Sequence, residues 1–243
     1  MSIQNSLNMT DDAQIAPSYA VAASSKPAKA RIRRINRRAR SATPRGNATR
    51  DRILSATVDL LSKGGYAATN VQMVSELARV SRGSILHQFP TRLDLMAGVL
   101  EYVADRIMVT ANEHLSSTSS ALNRLRQVPD LILRVCESAS GLALTEIQEA
   151  ARWDENLAAL IKPASEKLQR RFDVELAAVA TQAGLRDPAR LGPDLLLMIA
   201  AIRGLVIGFH VRADQEAVHA ALALQRLRWI GEIESQRKRP TRK

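Results

Sequence analysis

The chain has 243 residues, a formal net charge of +11, and a composition that is 46% hydrophobic but only 3% aromatic. A core of this kind is built from Leu, Val, Ile and Ala, which favours helices. The single cysteine, Cys136, excludes an intramolecular disulfide and a C-x-x-C metal site, and it favours a reducing, cytosolic compartment.

The positive charge lies at the two ends of the chain. Residues 1–50 contain ten Lys and Arg against two Asp, and residues 236–243 add five basic residues and no acidic one. We therefore predict a disordered basic extension over residues 1–48 and a basic tail over residues 236–243. Basic tails often contact nucleic acid, so the run RIRRINRRAR at 31–40 is a clamp for the DNA backbone, a short helix formed on binding, or a simple solvated tail.

The first helix is predicted from about Thr49 to Lys63. Its apolar residues recur at helical spacing, and Gly64-Gly65 follows in the usual position of a C-cap. A second, short helix is predicted to start near Asn70 or Val71, because Thr69 and Gln72 match a capping box.

The third helix is predicted at about Arg82–Gln88, with Ser81 as its N-cap. Ile85, Leu86 and Phe89 give it an apolar side, and its other side is small or polar. The short second and third helices, joined by a tight turn, match a helix-turn-helix, which lays its second helix in the major groove of DNA. The alternative is an ordinary helical hairpin in an all-α core.

The block from about Thr49 to Val103 resembles the DNA-binding domain of the tetracycline-repressor (TetR) family of bacterial transcriptional regulators. The matching features are the amphipathic first helix, Gly65-Tyr66-Ala67-Ala68-Thr69, Val80-Ser81-Arg82-Gly83-Ser84 and Phe89-Pro90-Thr91-Arg92. The resemblance implies an all-α fold: an N-terminal three-helix helix-turn-helix domain, residues 49–95, and a C-terminal helical ligand-binding and dimerisation domain, residues 96–235. The family usually has Tyr, often a phosphate contact, where this chain has Leu86, which leaves His87 as a substitute.

The candidate DNA-binding residues lie on the third helix and close to it in the chain. Small residues at the start of that helix allow close approach to DNA, and the others can donate hydrogen bonds. The candidates are Arg50, Thr69, Val71, Gln72, Ser81, Arg82, Gly83, Ser84, His87, Gln88 and Arg92.

The rest of the chain is also predicted to be helical. Thr91 and Asp94 repeat the capping pattern for a fourth helix that reaches about Leu115, followed by a polar break at 116–120. No strand alternation is visible. Further helices are predicted over residues 121–140 with Pro129 near the start, 142–152, 154–183 with a kink near Pro163, 194–211 and 214–235, with a loop at 184–193.

Residues 194–211 form the most apolar segment. A membrane helix is one alternative, but Arg203 at its centre would cost roughly 2.5–3.5 kcal/mol on insertion scales, so we predict a buried helix. Small residues recur every four positions and allow another helix to approach closely. The resemblance implies that the last two helices of two subunits form a four-helix bundle; the alternative is that they close the core of a monomer. The candidate dimerisation residues are Ala200, Gly204, Gly208, Leu222 and Trp229.

The resemblance also implies a ligand cavity between the middle helices, and their apolar residues suggest a small hydrophobic or amphipathic ligand. Because an apolar stripe is as consistent with a packed core, the candidates Val135, Ile147, Trp153 and Phe172 are a hypothesis. The histidines His87, His114, His210 and His219 lack metal-ligand spacing, and Cys136 lies in an apolar run typical of a buried, inert thiol.

These features predict a homodimeric transcriptional repressor that a ligand releases from a pseudo-palindromic operator. Its partners would be double-stranded DNA, a second copy of the chain and a small ligand, with no membrane, metal or cofactor, and its location would be the cytoplasm and nucleoid of a bacterium. The alternative is an architectural, nucleoid-type DNA-binding protein without a ligand. No motif for catalysis is visible, so an enzyme is not predicted.

Overall fold

The structure is a computed structural model that describes residues 44–116, 120–211 and 214–237. Helices account for most of these residues, and the β-type contact recorded among them is an isolated bridge between Leu185 and Arg237. The predicted all-α class is confirmed. The basic extension up to residue 43, positions 117–119 of the polar break and the tail from residue 238 lie outside the described residues.

The described part of the chain contains ten α-helices, with a short 3-10 helix at Pro188–Arg190. The α-helices are α1 Pro44–Ala68, α2 Val71–Ala78, α3 Arg82–Gln88, α4 Arg92–Ser116, α5 Ala121–Arg126, α6 Val128–Glu137, α7 Ala139–Ala150, α8 Glu155–Gln182, α9 Leu191–Val211 and α10 Gln215–Gln236.

Helix α1 begins earlier than predicted and passes through its glycines. It starts at Pro44 rather than Thr49, so residues 44–48 are helical and not disordered. Proline suits the first turn because its missing N–H would be unpaired there anyway and its φ is already helical. Gly65 bends the helix instead of capping it: its φ of 78° and ψ of 172° are non-helical, and helix resumes up to Ala68.

The capping predictions are wrong for α2 and confirmed for α3. Asn70 is the N-cap of α2, and its Oδ1 accepts a hydrogen bond from Met73 N at 3.1 Å. Thr69 turns inward, where its hydroxyl donates to the Gly65 carbonyl at 2.9 Å. The helix itself begins at Val71, as predicted, so the error concerns which residue caps it. Ser81 caps α3 as predicted, because its Oγ accepts from Ser84 N at 3.1 Å.

The capping pair before α4 is confirmed. Asp94 accepts hydrogen bonds from the backbone N–H and the hydroxyl of Thr91, and Asp94 N donates back to the Thr91 hydroxyl at 3.1 Å. Asp154 likewise caps α8 by accepting from Leu157 N at 3.0 Å. Helix α8 then continues through Pro163 as one element.

The single helix predicted over residues 121–140 is instead two helices. Helix α5 ends at Arg126, and α6 begins at Val128 with Pro129 in its first turn, where the missing N–H costs least. Helix α6 stops at Glu137 because Ser138 caps α7, with its Oγ accepting from Gly141 N at 3.1 Å.

Two hydrophobic clusters hold the helices together. The first contains Ile53 of α1, Ile85 of α3, Ile147 of α7 and Leu157 of α8, so the N-terminal helices share a core with the C-terminal ones. The second joins α5, α6, α8, α9 and α10 around residues such as Met198. Burying each such side chain contributes about 1.5–3 kcal/mol.

Helix α9 is only half buried, so the prediction of a buried helix is wrong for one of its faces. Leu195, Met198 and Ile202 lie in the core, whereas Leu197 and Val211 are exposed. The segment Pro188–Phe209 is long and apolar enough to cross a membrane by length and composition, and 28% of it is buried in this fold. A core helix of a soluble protein passes the same test, so we draw no membrane assignment from it.

Candidate DNA-binding surface and ligand cavity

The short helix α3 is held by a few buried side chains and exposes most of the rest. Ile85 is fully buried and packs in the same cluster as Val74 and Ala78 of α2. This anchoring leaves Arg82, Leu86 and His87 exposed. Arg82 makes no hydrogen bond or ion pair with any other described residue, so its guanidinium is available to a partner.

A polar, concave surface lies between α3 and the start of α1. It is lined by Gly46 and Thr49 of α1 and by Ser81, Gly83, Ser84, His87 and Gln88. The two elements are tied together where Gln88 Nε2 donates to the Gly46 carbonyl at 3.2 Å. Five predicted DNA-binding residues therefore lie on one surface, with Arg82 exposed on the same helix. Sequence reasoning missed Gly46 and Thr49, although Pro44 is a helix-start signal that could have placed them.

Four predicted DNA-binding residues do not lie on this surface. Thr69 is 3% exposed, and Val71 packs against the core. The Arg50 guanidinium lies 4.5 Å from the centre of the Phe89 ring, and burial lowers the pKa of Arg50 against the opposing charges of Glu101 and Asp51. Arg92 is engaged within the protein, where it contacts Tyr66. The eleventh candidate is an exposed residue of α2, Gln72, whose Nε2 donates to Glu76 Oε1 at 3.2 Å.

Tyr66, next to the bend in α1, is held from two sides. Arg92 of α4 donates to the Tyr66 carbonyl at 2.5 Å and lies 4.3 Å from the centre of its ring. From α7, Glu146 Oε2 accepts a hydrogen bond from Tyr66 N at 3.0 Å. Tyr66 is thus hydrogen-bonded to both α4 and α7 at the base of the helix-turn-helix domain, and Arg92 has a structural role there.

Two cavities lie between the C-terminal helices and share Ile132 and Phe172. The larger has a volume of 360 Å³ and is bounded by α4, α6, α7, α8 and α9. The smaller has a volume of 260 Å³ and is bounded by α4, α5, α6, α8 and α9. Small-molecule sites have volumes of about 300 to 1,000 Å³. The larger cavity lies within this range, and the smaller cavity lies just below it.

The structure brings together two of the four predicted ligand residues. Phe172 lines both cavities and Val135 lines the larger. Ile147 is fully buried in the core and lines neither, and Trp153 is 85% exposed. Cys136 is buried as predicted, and it lines the larger cavity. Burial raises the pKa of the Cys136 thiol, an effect that Arg203 opposes.

The predicted dimerisation residues fall into two groups. Ala200 and Gly204 are exposed and Gly208 is half-buried, and a methyl group built on Gly204 would meet nothing within 4 Å. Leu222 and Trp229 instead pack into the protomer's own core, where Trp229 Nε1 donates to the Leu125 carbonyl at 2.7 Å. The sequence did not single out the exposed apolar side chains of α9 and α10, which are Leu196, Leu197, Ile207, Val211, Leu224 and Leu227.

The short hairpin, its exposed second helix and the polar surface beside it define a helix-turn-helix DNA-binding protein. Residues 53–99 match the family model described as bacterial regulatory proteins of the tetR family. Residues 53–99 therefore form a DNA-binding domain of the TetR type, which confirms the predicted resemblance.

Similar proteins include transcriptional regulators and a nucleoid occlusion factor. The nucleoid occlusion factor SlmA of Photobacterium profundum is 25% identical over 161 residues, which cover 65% of this chain and 80% of that protein. The HTH-type transcriptional regulator CymR of Pseudomonas putida is 28% identical over 187 residues, which cover 73% and 87%. A solved TetR-family regulator from Cytophaga hutchinsonii has the same fold, with a TM-score of 0.64, 14% identity, and coverage of 82% and 100%.

Proposed function

We propose that this protein is a homodimeric repressor that a small-molecule ligand releases from a pseudo-palindromic operator in the bacterial cytoplasm. The observation that carries the proposal is the exposed α3: Arg82 faces solvent, and His87 and Gln88 line the polar surface that α3 shares with the start of α1. Each subunit would place α3 in one major groove, and the two-fold axis of the dimer would match the symmetry of the operator.

Dimerisation is supported by the apolar faces that α9 and α10 leave uncovered. Leu197 and Val211 of α9 and Leu227 of α10 are each more than half exposed. Large exposed apolar patches are uncommon on monomers and usually mark an interface, so these side chains support a contact with a second subunit. Ala200 and Gly204 on the same side of α9 would let a second helix approach closely.

Release by a ligand is supported by the position of α7. This helix lines the larger cavity with Gly141, Leu144 and Gln148, and its Glu146 accepts the hydrogen bond from Tyr66 N at the base of the helix-turn-helix domain. A ligand that changes the position of α7 would therefore act directly on α1. It can favour release only to the extent that it binds the released conformation more tightly than the DNA-bound one.

Substituting Arg82 or His87 with Ala should weaken operator binding without unfolding the protein. Both side chains are exposed, so their loss leaves the core intact, and a contact to a base edge contributes about 1–3 kcal/mol of discrimination. Fluorescence anisotropy on operator and scrambled duplexes measures the effect. Arg190→Ala removes an exposed arginine outside the DNA-binding domain and is the matched control. Operator affinity that is unchanged in both variants would exclude α3 from recognition.

A second candidate function is supported by the similarity to SlmA, which is named a nucleoid occlusion factor. In this role the protein would be an architectural DNA-binding protein of the nucleoid and would need no ligand. The two functions differ in how the protein is distributed on the genome: a repressor occupies a few operators, whereas an architectural protein covers many sites.

A further inference from the structure

The larger cavity is lined by a half-buried cation, Arg203, whose hydrogen-bonding groups are only partly used. Arg203 reaches into it from α9, and its Nη1 donates to Gln148 Oε1 at 2.7 Å. Its Nε is buried and has no hydrogen-bond partner in the described part of the chain. Ser165 of α8 lines the same cavity, and its buried hydroxyl also lacks a partner there.

Unpaired buried polar groups are costly, so a pair of them beside a cavity points to a missing binding partner. Leaving a buried donor unsatisfied costs about 1–3 kcal/mol, and more for a charged group. Within residues 44–116, 120–211 and 214–237, Arg203 forms no ion pair. An acceptor with negative charge would satisfy the Arg203 Nε and the Ser165 hydroxyl together.

The other polar groups of the cavity are already engaged or lie toward solvent. Glu166 is exposed and pairs with Arg170 at 3.8 Å, and Gln169 Nε2 donates to Asp173 Oδ1 at 2.9 Å. Burial raises the pKa of the Cys136 thiol, which disfavours its thiolate form. The remaining lining is apolar, and it includes Ile107, Val135, Leu144, Leu168, Phe172 and Ile199.

We propose that the ligand of this cavity is an amphipathic organic acid, with a carboxylate bound by Arg203 and Ser165 and an apolar body packed against α4, α6 and α8. This proposal rests on the proposed function, in which a ligand enters this cavity. A cationic ligand would face the Arg203 guanidinium, and a neutral one would leave its charge uncompensated. An organic acid matches the charge of Arg203 and the apolar lining in one molecule.

The single cysteine provides a reporter inside the cavity. Cys136 is 7% exposed, so a neutral alkylating reagent such as iodoacetamide reaches it only through the cavity or through local opening. An occupied cavity should slow this reaction. Ligand binding should also raise the melting temperature, because a ligand that binds only the folded state stabilises it.

The test compares octanoate and 4-phenylbutyrate with 1-octanol and octylamine, on the full-length protein. We expect the two carboxylates to slow alkylation of Cys136 and raise the melting temperature, and the alcohol and amine to do neither at equal concentration. Arg203→Met should weaken carboxylate binding roughly ten- to a hundredfold, as expected for loss of a charged hydrogen bond. Ser165→Ala should weaken it less, and Arg190→Met, outside the cavity, should leave it unchanged.

Three outcomes would overturn the proposal: equal protection by 1-octanol or octylamine, unchanged carboxylate affinity in both Arg203→Met and Ser165→Ala, or no protection by either carboxylate. Operator binding, measured on the same samples, separates this proposal from the proposed function. If wild-type protein binds octanoate but stays bound to its operator, the proposed ligand class is supported and the proposed release mechanism is contradicted. A variant that loses octanoate but still binds the operator supports the assignment of Arg203.

Discussion

Replacing Gly141 with Ala is expected to lower the free energy of unfolding by about 3 kcal/mol or more. An added Cβ would lie 1.9 Å from the Val135 carbonyl oxygen and 3.1 Å from the Cα of Cys136. Both are backbone atoms, so they cannot rotate away as a flexible side chain could. The first turn of α7 would have to move away from the last turn of α6.

Urea denaturation of wild type and Gly141→Ala measures this effect through the transition midpoint. Gly64→Ala is the matched control, because its added methyl group would make only an ordinary contact of 3.7 Å with the Cβ of Ala68. The control should be neutral or slightly stabilising, since Ala is the better helix former. A Gly141→Ala midpoint equal to that of wild type would contradict the close approach of Gly141 to the end of α6, where both elements line the larger cavity.

Gly204→Leu is expected to convert the dimer to monomers and to lower operator affinity by roughly a hundredfold or more. Within one subunit the new side chain meets open space, so the fold should survive. Between two subunits it would hold the paired helices apart. The loss of affinity is large because two linked DNA-binding domains bind DNA about 10²–10⁴ times more tightly than one.

Analytical ultracentrifugation and anisotropy on the operator check the two parts of this expectation. Ala178→Leu adds a similar exposed side chain to α8 and should leave the dimer intact. A monomeric wild-type protein, or a Gly204→Leu variant as dimeric as wild type, would contradict the assignment of α9 to the interface.

The elements that could be predicted are those specified by neighbouring residues. Ser81 caps α3, and the pair Thr91 and Asp94 caps α4, because these signals act over three positions of sequence. The sequence predicted Thr69 as the cap of α2, but the cap is Asn70. Both residue types are acceptable caps, and they are adjacent in the chain. Tertiary packing decided between them by burying Thr69.

The residues that could not be predicted are those whose partners are far away in the chain. Glu146 meets Tyr66 across 80 positions, and Trp229 meets Leu125 across 104. Helical periodicity placed Trp229 on one side of α10. It could not show whether that side packs against another subunit or against the protomer itself. Arg203 was visible only as a charge in an apolar helix; its unpaired Nε beside a cavity depends on how α9 packs against α7 and α8.

The measurement that tests the central claim most directly is genome-wide sequencing of the DNA that co-precipitates with the protein. A sequence-specific dimeric regulator predicts a few discrete sites that share an inverted repeat, with half-sites about one helical turn apart or a multiple of it. The bound sites should be lost in the Arg82→Ala, His87→Ala double variant, which keeps the fold. Broad coverage of the genome without a shared motif, unchanged in that variant, would contradict the account.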